Sequence, residues 1–411
     1  MEGPRRFALA LGVAALGGLL LAAIPARAED EAPADPTRGQ WDSGLDPLRE
    51  AEDHIVDGQK WLEDRSKIHL GFGVVKSIQF DFNDPQSNII SLHSLDPDHL
   101  SDNLDLAQFM ASRPSDGFIP GFGLKLNVGR IAHRTKSDWD GDGTLSRGDE
   151  FEHSDFDVEE AYLTWAIPEG QPAAGLSLKA GKFVTLLGAE VIEPWNNYNF
   201  SRSFLFGFAI PFTHTGALLT YPITDKLSVT GGAVTGWDEV TDANRGWTGI
   251  GNVTYVVSDQ VTIAGNGIWG PEQVNNRSSK RGVADVVATI KPVDKFTLLL
   301  NYDWGHEENV IGGESALWQG FAAVANYDLT DRWSTAMRGE WFEDHNGART
   351  GLRQTLWEAT VTEKYLITQH LSGRLEYRHD ESSQDHVFAA GKTKATPGQD
   401  LVAVAFTYLF N

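Results

Sequence analysis

The stretch "KFTLLLNYDW", residues 295–304, decides the fold. Phe296, Leu298, Leu300, Tyr302 and Trp304 recur at every second position, and a period of two puts them on one face of a β-strand. "LVAVAFTYLF" (401–410) repeats the pattern with Val402, Val404, Phe406, Tyr408 and Phe410. In "KLSVTGGAVTGW" (226–237), Leu227, Val229, Ala233 and Trp237 share a face. In "LSGRLEYRHD" (371–380), Leu371, Leu375 and Tyr377 oppose Arg374, Glu376 and Arg378. From residue 67 onward this period predicts about sixteen strands, an even number as bacterial barrels require. The segments include 101–113 and 118–133.

The connections alternate too. "PITDK" (222–226), "VSDQ" (257–260), "KPVDK" (291–295) and "LTDR" (329–332) are short, with Asp or Pro at turn positions. Between them stand longer polar segments such as "GPEQVNNRSSKR", "GHEENVIGGES" and "EDHNGARTG". A soluble β-protein would bury the apolar face. Here the opposite face carries Lys125, Glu160, Arg338, Glu340, Glu358, Arg374, Glu376 and Arg378, charges that suit a water-filled lumen and not a dry core. Trp237, Trp269, Trp304, Trp341, Tyr221, Tyr255 and Tyr327 lie near the ends of apolar stripes, as girdle residues should. The expected fold is all-β: a transmembrane antiparallel β-barrel with short periplasmic turns and long extracellular loops. The eight charges named above are the expected pore lining.

Residues 1–28 read as a signal peptide. Arg5 and Arg6 precede an apolar run, and "ARA" at 26–28 is a small-residue cleavage site. Residues 29–66 form an acidic N-terminal segment, with a short helix expected from the spacing of Leu45, Leu48, Ile55, Val56 and Leu62. The barrel occupies 67–411. There is no cysteine, so no disulfide staples the exported chain. The formal charge of −23 argues against nucleic acid as a partner.

"AGKFVTLLGAEVIEPWNNYNFSRSFLFGFAIPFTHTGALLTYPI", residues 180–223, resembles the signature of outer-membrane β-barrel porins of the OmpL-like kind. "NYDWG" (301–305), "RGEWFED" (338–344) and "LEYRHD" (375–380) resemble repeated features of the same family. The resemblance implies a porin in the outer membrane of a Gram-negative bacterium, passing small hydrophilic solutes or ions. It implies a third loop, about 186–212, folded into the lumen. Its candidate constriction residues are Glu190, Glu193, Trp195, Asn196, Asn197, Tyr198 and Arg202, because charged rings control which ions pass. Expected partners are outer-membrane lipid and lipopolysaccharide, the barrel-assembly machinery and, by analogy with barrels of this size, two further copies in a homotrimer. Asn411 follows the terminal aromatic Phe410, a departure from the usual ending.

"DWDGDGTLSRGDE" (138–150) stands in the second outer loop. Asp138, Asp140 and Asp142 fall at positions 1, 3 and 5 of a calcium loop, Gly143 at 6, Thr144 at 7 and Asp149 at 12. Hard oxygen ligands at this spacing suit Ca²⁺. With strands on either side, the ion would order a surface loop. Two other functions compete with the channel. One is a calcium-ordered surface receptor or adhesin. The other is a barrel enzyme such as a lipase, for which only Ser203 and His214 stand near in sequence, without a G-x-S-x-G context. No catalytic residue is assigned.

Overall fold

The computed structural model describes residues 63–139, 155–171 and 173–411, with scattered positions between 52 and 60. The chain closes into a barrel of sixteen antiparallel strands. They are β1 (His69–Asp81), β2 (Leu106–Arg113), β3 (Gly121–Val128), β4 (Phe156–Ala166), β5 (Ser177–Val184), β6 (Thr213–Thr224), β7 (Leu227–Val234), β8 (Thr248–Ser258), β9 (Val261–Gly270), β10 (Arg281–Val293), β11 (Phe296–Ile311), β12 (Glu314–Asp328), β13 (Trp333–Asp344), β14 (Gln354–Leu366), β15 (Leu371–Ser382) and β18 (Gly398–Phe410). β16 (Phe388–Ala390) and β17 (Lys394–Thr396) form a separate hairpin inside the last long loop. Each barrel strand pairs with its neighbours along the chain, and β1 closes on β18 in a register from Phe72↔Phe410 to Asp81↔Leu401. Closure leaves no open edge, so every strand's backbone is paired within the sheet.

The outward faces are apolar. Tyr221, Tyr255, Tyr327 and Tyr365 are exposed near the short-turn end, and Trp269, Trp304, Trp341 and Trp357 toward the long-loop end. Two aromatic levels separated by aliphatic side chains match a bilayer belt. Among the described residues no helix is long and apolar enough to cross a membrane; the crossing elements are strands.

Three expectations shift in detail. The third strand ends at Val128, because Gly129 (φ 124°) turns the chain into α1 (Arg130–Thr135). The second begins at Leu106, since residues 82–105 form a long inward-folded loop, L1. "GHEENVIGGES" is no loop: β11 and β12 run on to a hairpin at Gly312 (φ 61°) and Gly313 (φ 90°). Two successive left-handed residues make the turn whose twist matches the strands, and Gly-Gly adopts it without strain. The described positions of the acidic segment, Glu52, Val56, Gln59, Lys60 and residues 63–66, are helical, and Thr368 Oγ1 donates to Glu52 (3.1 Å) at a short turn. The expected signal peptide (1–28) and residues 140–154 lie outside the described residues.

Candidate functional site: a loop clamped inside the lumen

The third long loop, L3 (185–212), enters the barrel from β5 and returns to β6. Its sequence explains why. Leu187, Ile192, Phe200, Phe204, Leu205, Phe206 and Ile210 are too apolar to stay in water, and all are buried. They form one core with side chains pointing inward from the wall: Val75, Leu106, Trp318, Phe342, Leu356 and Ala403. The long-loop half of the lumen therefore holds a hydrophobic core of its own. At Gly73 the fit requires glycine, since a Cβ there would lie 2.5 Å from the Trp195 ring.

A loop buried this deeply exposes backbone polar groups that need partners. The wall's charges supply them. Arg338 on β13 donates Nη1 to Glu190 (2.7 Å) and to the Ser201 carbonyl (2.6 Å), and Nε to Glu358 (2.7 Å). Glu340 accepts from the N–H groups of Phe204 (2.6 Å) and Leu205 (2.5 Å). Glu376 does the same for Phe200 (2.6 Å) and Ser201 (2.9 Å). Arg374 donates to the carbonyls of Pro194 (2.6 Å) and Asn197 (3.0 Å), and Arg378 to that of Arg202 (2.6 Å). Arg202 turns back on its own loop, binding the carbonyls of Val191, Phe200 and Ile192. Across the lumen, Lys125 on β3 meets Glu193, with Glu160 at 3.1 Å and Glu159 at 3.3 Å. A bulge in β4 opposite Lys125 places both Glu159 and Glu160 there.

Every expected pore-lining charge thus faces inward; six of them bond to L3, and Glu160 and Glu358 bond to the wall residues that do. Lys125 keeps 23 % of its side chain exposed, whereas Arg338 and Glu358 keep none. Of the expected constriction residues, Glu190, Glu193, Asn197 and Arg202 are spent in anchoring: Asn197 bonds Val191 and Glu193 of the same loop. Trp195 is wedged against Gly73. Asn196 is exposed and Tyr198 half-buried, so these two, with exposed Val191, form the loop's free edge.

Sequence reasoning missed three anchors. His93 of L1 bridges Asp96 (3.1 Å) and Asp380 (3.2 Å). Burial alone would lower its pKa, but the charge of Asp96 and the hydrogen bonds to Asp380 and Asp96 outweigh it and raise it to about 9. Glu159 carried no signal before the bulge was known. Arg349 lies between the rings of Trp237 (5.0 Å) and Trp318 (5.1 Å) and donates to the Phe208 carbonyl (2.6 Å). The one cue for L1 was its length, since long connections in compact domains are commonly functional.

Asp138 is the only expected calcium ligand among the described residues. Its N–H donates to the Asp238 carbonyl (2.8 Å), and Val240 N–H donates to its carbonyl (2.7 Å). Burial pushes the neighbouring Glu239 up to about 8, and the charges of Glu272, Asp138 and Asp242 add to that. Asp140, Asp142, Thr144 and Asp149 lie outside the described residues. His214 and Ser203 are not brought together. The imidazole is buried between the Gly236 carbonyl (2.8 Å) and Thr185 Oγ1 (3.0 Å), and Ser203 Oγ accepts from Phe206 N–H (3.1 Å).

The fold is that of solved outer-membrane proteins. OmpT of Vibrio cholerae in its trimer form has a TM-score of 0.54 at 11% identity, over 84% of this chain and 99% of that one. The outer membrane channel DcaP of Acinetobacter baumannii has 0.53 at 11%, over 84% and 97%. An anion-selective porin from Comamonas acidovorans has 0.53 at 9%, over 84% and 100%. No curated protein matches the chain. The family described as "Putative beta-barrel porin-2, OmpL-like" matches residues 72–410. With nearly the whole barrel matched, the chain belongs to this OmpL-like β-barrel porin family and is an outer-membrane channel.

Proposed function

We propose a narrow diffusion channel for small hydrophilic solutes and ions, in which L3 sets the bore. The observation that carries this reading is the clamp, in which Arg338 and Glu340 of β13 and Arg374, Glu376 and Arg378 of β15 grip the loop backbone from either side of β14. A loop held by so many buried bonds is a fixed part of the bore. Small conductance steps follow. A mild cation preference follows as well, because Glu159, Glu160 and Glu193 surround the single ammonium of Lys125. Planar-bilayer recording tests both: small steps and a reversal potential on the cation side support the reading. Absence of any conductance, or clear anion selectivity, counts against it.

The long loops would face outward and the short turns the periplasm, with residues 1–28 removed on export. A homotrimer is the assembly to look for, as the related fold of OmpT is known in a trimer form. Lipid, lipopolysaccharide and the assembly machinery would be the outward-facing partners. Ca²⁺ at Asp138, Asp140, Asp142, Thr144 and Asp149 would order the second long loop. In support of that role, the backbone of Asp138 is already stitched to residues 238 and 240.

A further inference from the structure

One side of the lumen carries polar but uncharged side chains over four successive strands. On β6, β7, β8 and β9 no charged side chain faces inward among the described residues other than the buried imidazole of His214. Outward-facing Leu219, Tyr221, Val253 and Ile263 are exposed, and alternation then turns their neighbours to the lumen. Those neighbours form one transverse row in register: Thr220↔Thr230, Thr230↔Asn252, Asn252↔Asn266 and Asn266↔Asp285.

The row is hydrogen-bonded from strand to strand. Thr220 and Thr230 hydroxyls meet at 2.9 Å. Asn252 Nδ2 donates to Asn266 Oδ1 (2.6 Å), and Thr254 Oγ1 donates to Asn252 Oδ1 (3.0 Å). Asn266 donates in turn to Asp285, which also accepts from Asn301 (2.6 Å). Thr220, Thr230, Asn252 and Thr254 remain half-exposed, while the row above them, including Leu218, Ile250 and Ile268, is buried. The belt therefore borders open lumen on the short-turn side of L3. Charges stand on the two strands that immediately flank these four: Lys179 on β5 has its Nζ over the Tyr162 ring (4.4 Å), and Asp285 on β10 has both oxygens occupied.

We infer that this belt is a binding track for uncharged polyhydroxylated solutes. The inference rests on the channel reading and names its substrate class. Each hydroxyl or primary amide both donates and accepts, and each retains capacity beyond its partner in the belt. A solute hydroxyl has the same dual character. It can exchange water for the belt without leaving a polar group unsatisfied, the loss that costs most in a confined space. An ion entering the same space gives up hydration and meets no opposite charge on these four strands. The aligned row offers a polyol several such exchanges at once.

The test is ion-current block in planar bilayers by sorbitol and by gluconate, which has a similar carbon chain but carries a charge. Sorbitol should lower the wild-type current saturably, and gluconate at equal concentration should not. Thr230→Val with Asn252→Leu keeps the approximate size and removes the belt's centre. It should abolish saturation and shift half-block at least tenfold, while Thr230→Ser keeps it. Retained heat-modifiable mobility on gels establishes that each variant is folded. A linear, viscosity-like decrease that is equal in wild type and double variant overturns the track. Equal block by gluconate also overturns it. No ion current in any protein overturns the channel reading itself.

Discussion

Arg338→Met removes the guanidinium at the centre of the clamp and keeps the aliphatic stem. The substitution leaves Glu190, 9% exposed, with no cation and only the Ser203 N–H, and leaves Glu358, 0% exposed, with Thr360 and the longer Arg378 contact of 3.9 Å. It also frees the Ser201 carbonyl. Breaking one side of a buried ion pair costs about 3–5 kcal/mol, because the remaining charge is stranded away from water. Solvent screening does not rescue so covered a pair. If that cost falls on loop docking, the undocked fraction of L3 rises by roughly a hundredfold to a few thousandfold. Trypsin reads this directly, since Arg202 lies within L3 and is 4% exposed. Cleavage there tracks the open population when opening and closing are fast. Conductance should rise and become noisy. Arg338→Met with Glu358→Gln should be less damaging than Arg338→Met alone, as one stranded charge is gone. Cleavage at Arg202 within threefold of wild type, with unchanged current, would refute the clamp.

Asp303→Asn should stabilise the barrel by about 1–3 kcal/mol, read as slower heat denaturation, because this fully buried carboxylate stands directly across from Asp285 and near Glu340, and the amide removes one of these like charges. For L1, the His93 pKa of about 9 lies above its ordinary value of 6.5. The bracket's stabilisation is thus complete below about 6.5 and lost as pH rises through 9. Proteolysis in L1 should quicken between pH 8 and 10 in wild type and be insensitive to pH in His93→Gln; a flat wild-type profile would tell against the bracket. For the second loop, Ca²⁺ should protect Arg147 from trypsin and a chelator should expose it. Asp138→Ala with Asp140→Ala should erase the difference at little cost to barrel stability, and equal cleavage in calcium and chelator would leave only an acidic surface loop.

The barrel was legible because a bilayer imposes a strict period on every strand. Phe296 to Trp304 and Val402 to Phe410 show it without interruption. The hairpin at Gly312 and Gly313 was misread for its polar flanks, although Gly-Gly is itself a hairpin signal. The inward charges were found by the same alternation, but their surroundings were not. Arg338 or Glu376 reads identically whether it faces water or a loop backbone, and only the docked chain distinguishes them. The apolar run "FLFGFAIPF" was the available clue that the lumen holds a core. Arg349 and Glu159 had no local pattern, because each acquires its partners from elements far away in sequence, and His93, with Asp96 three residues on, becomes a bracket only through the distant Asp380.

The central claim is that L3 sets the bore of the channel. Single-channel conductance of the full chain, compared with a variant in which residues 191–201 are replaced by a short Gly-Ser linker, measures it directly. Small steps in the wild type and several-fold larger steps in the variant are the predicted result. Equal steps in the two proteins, with both barrels folded, would contradict the account.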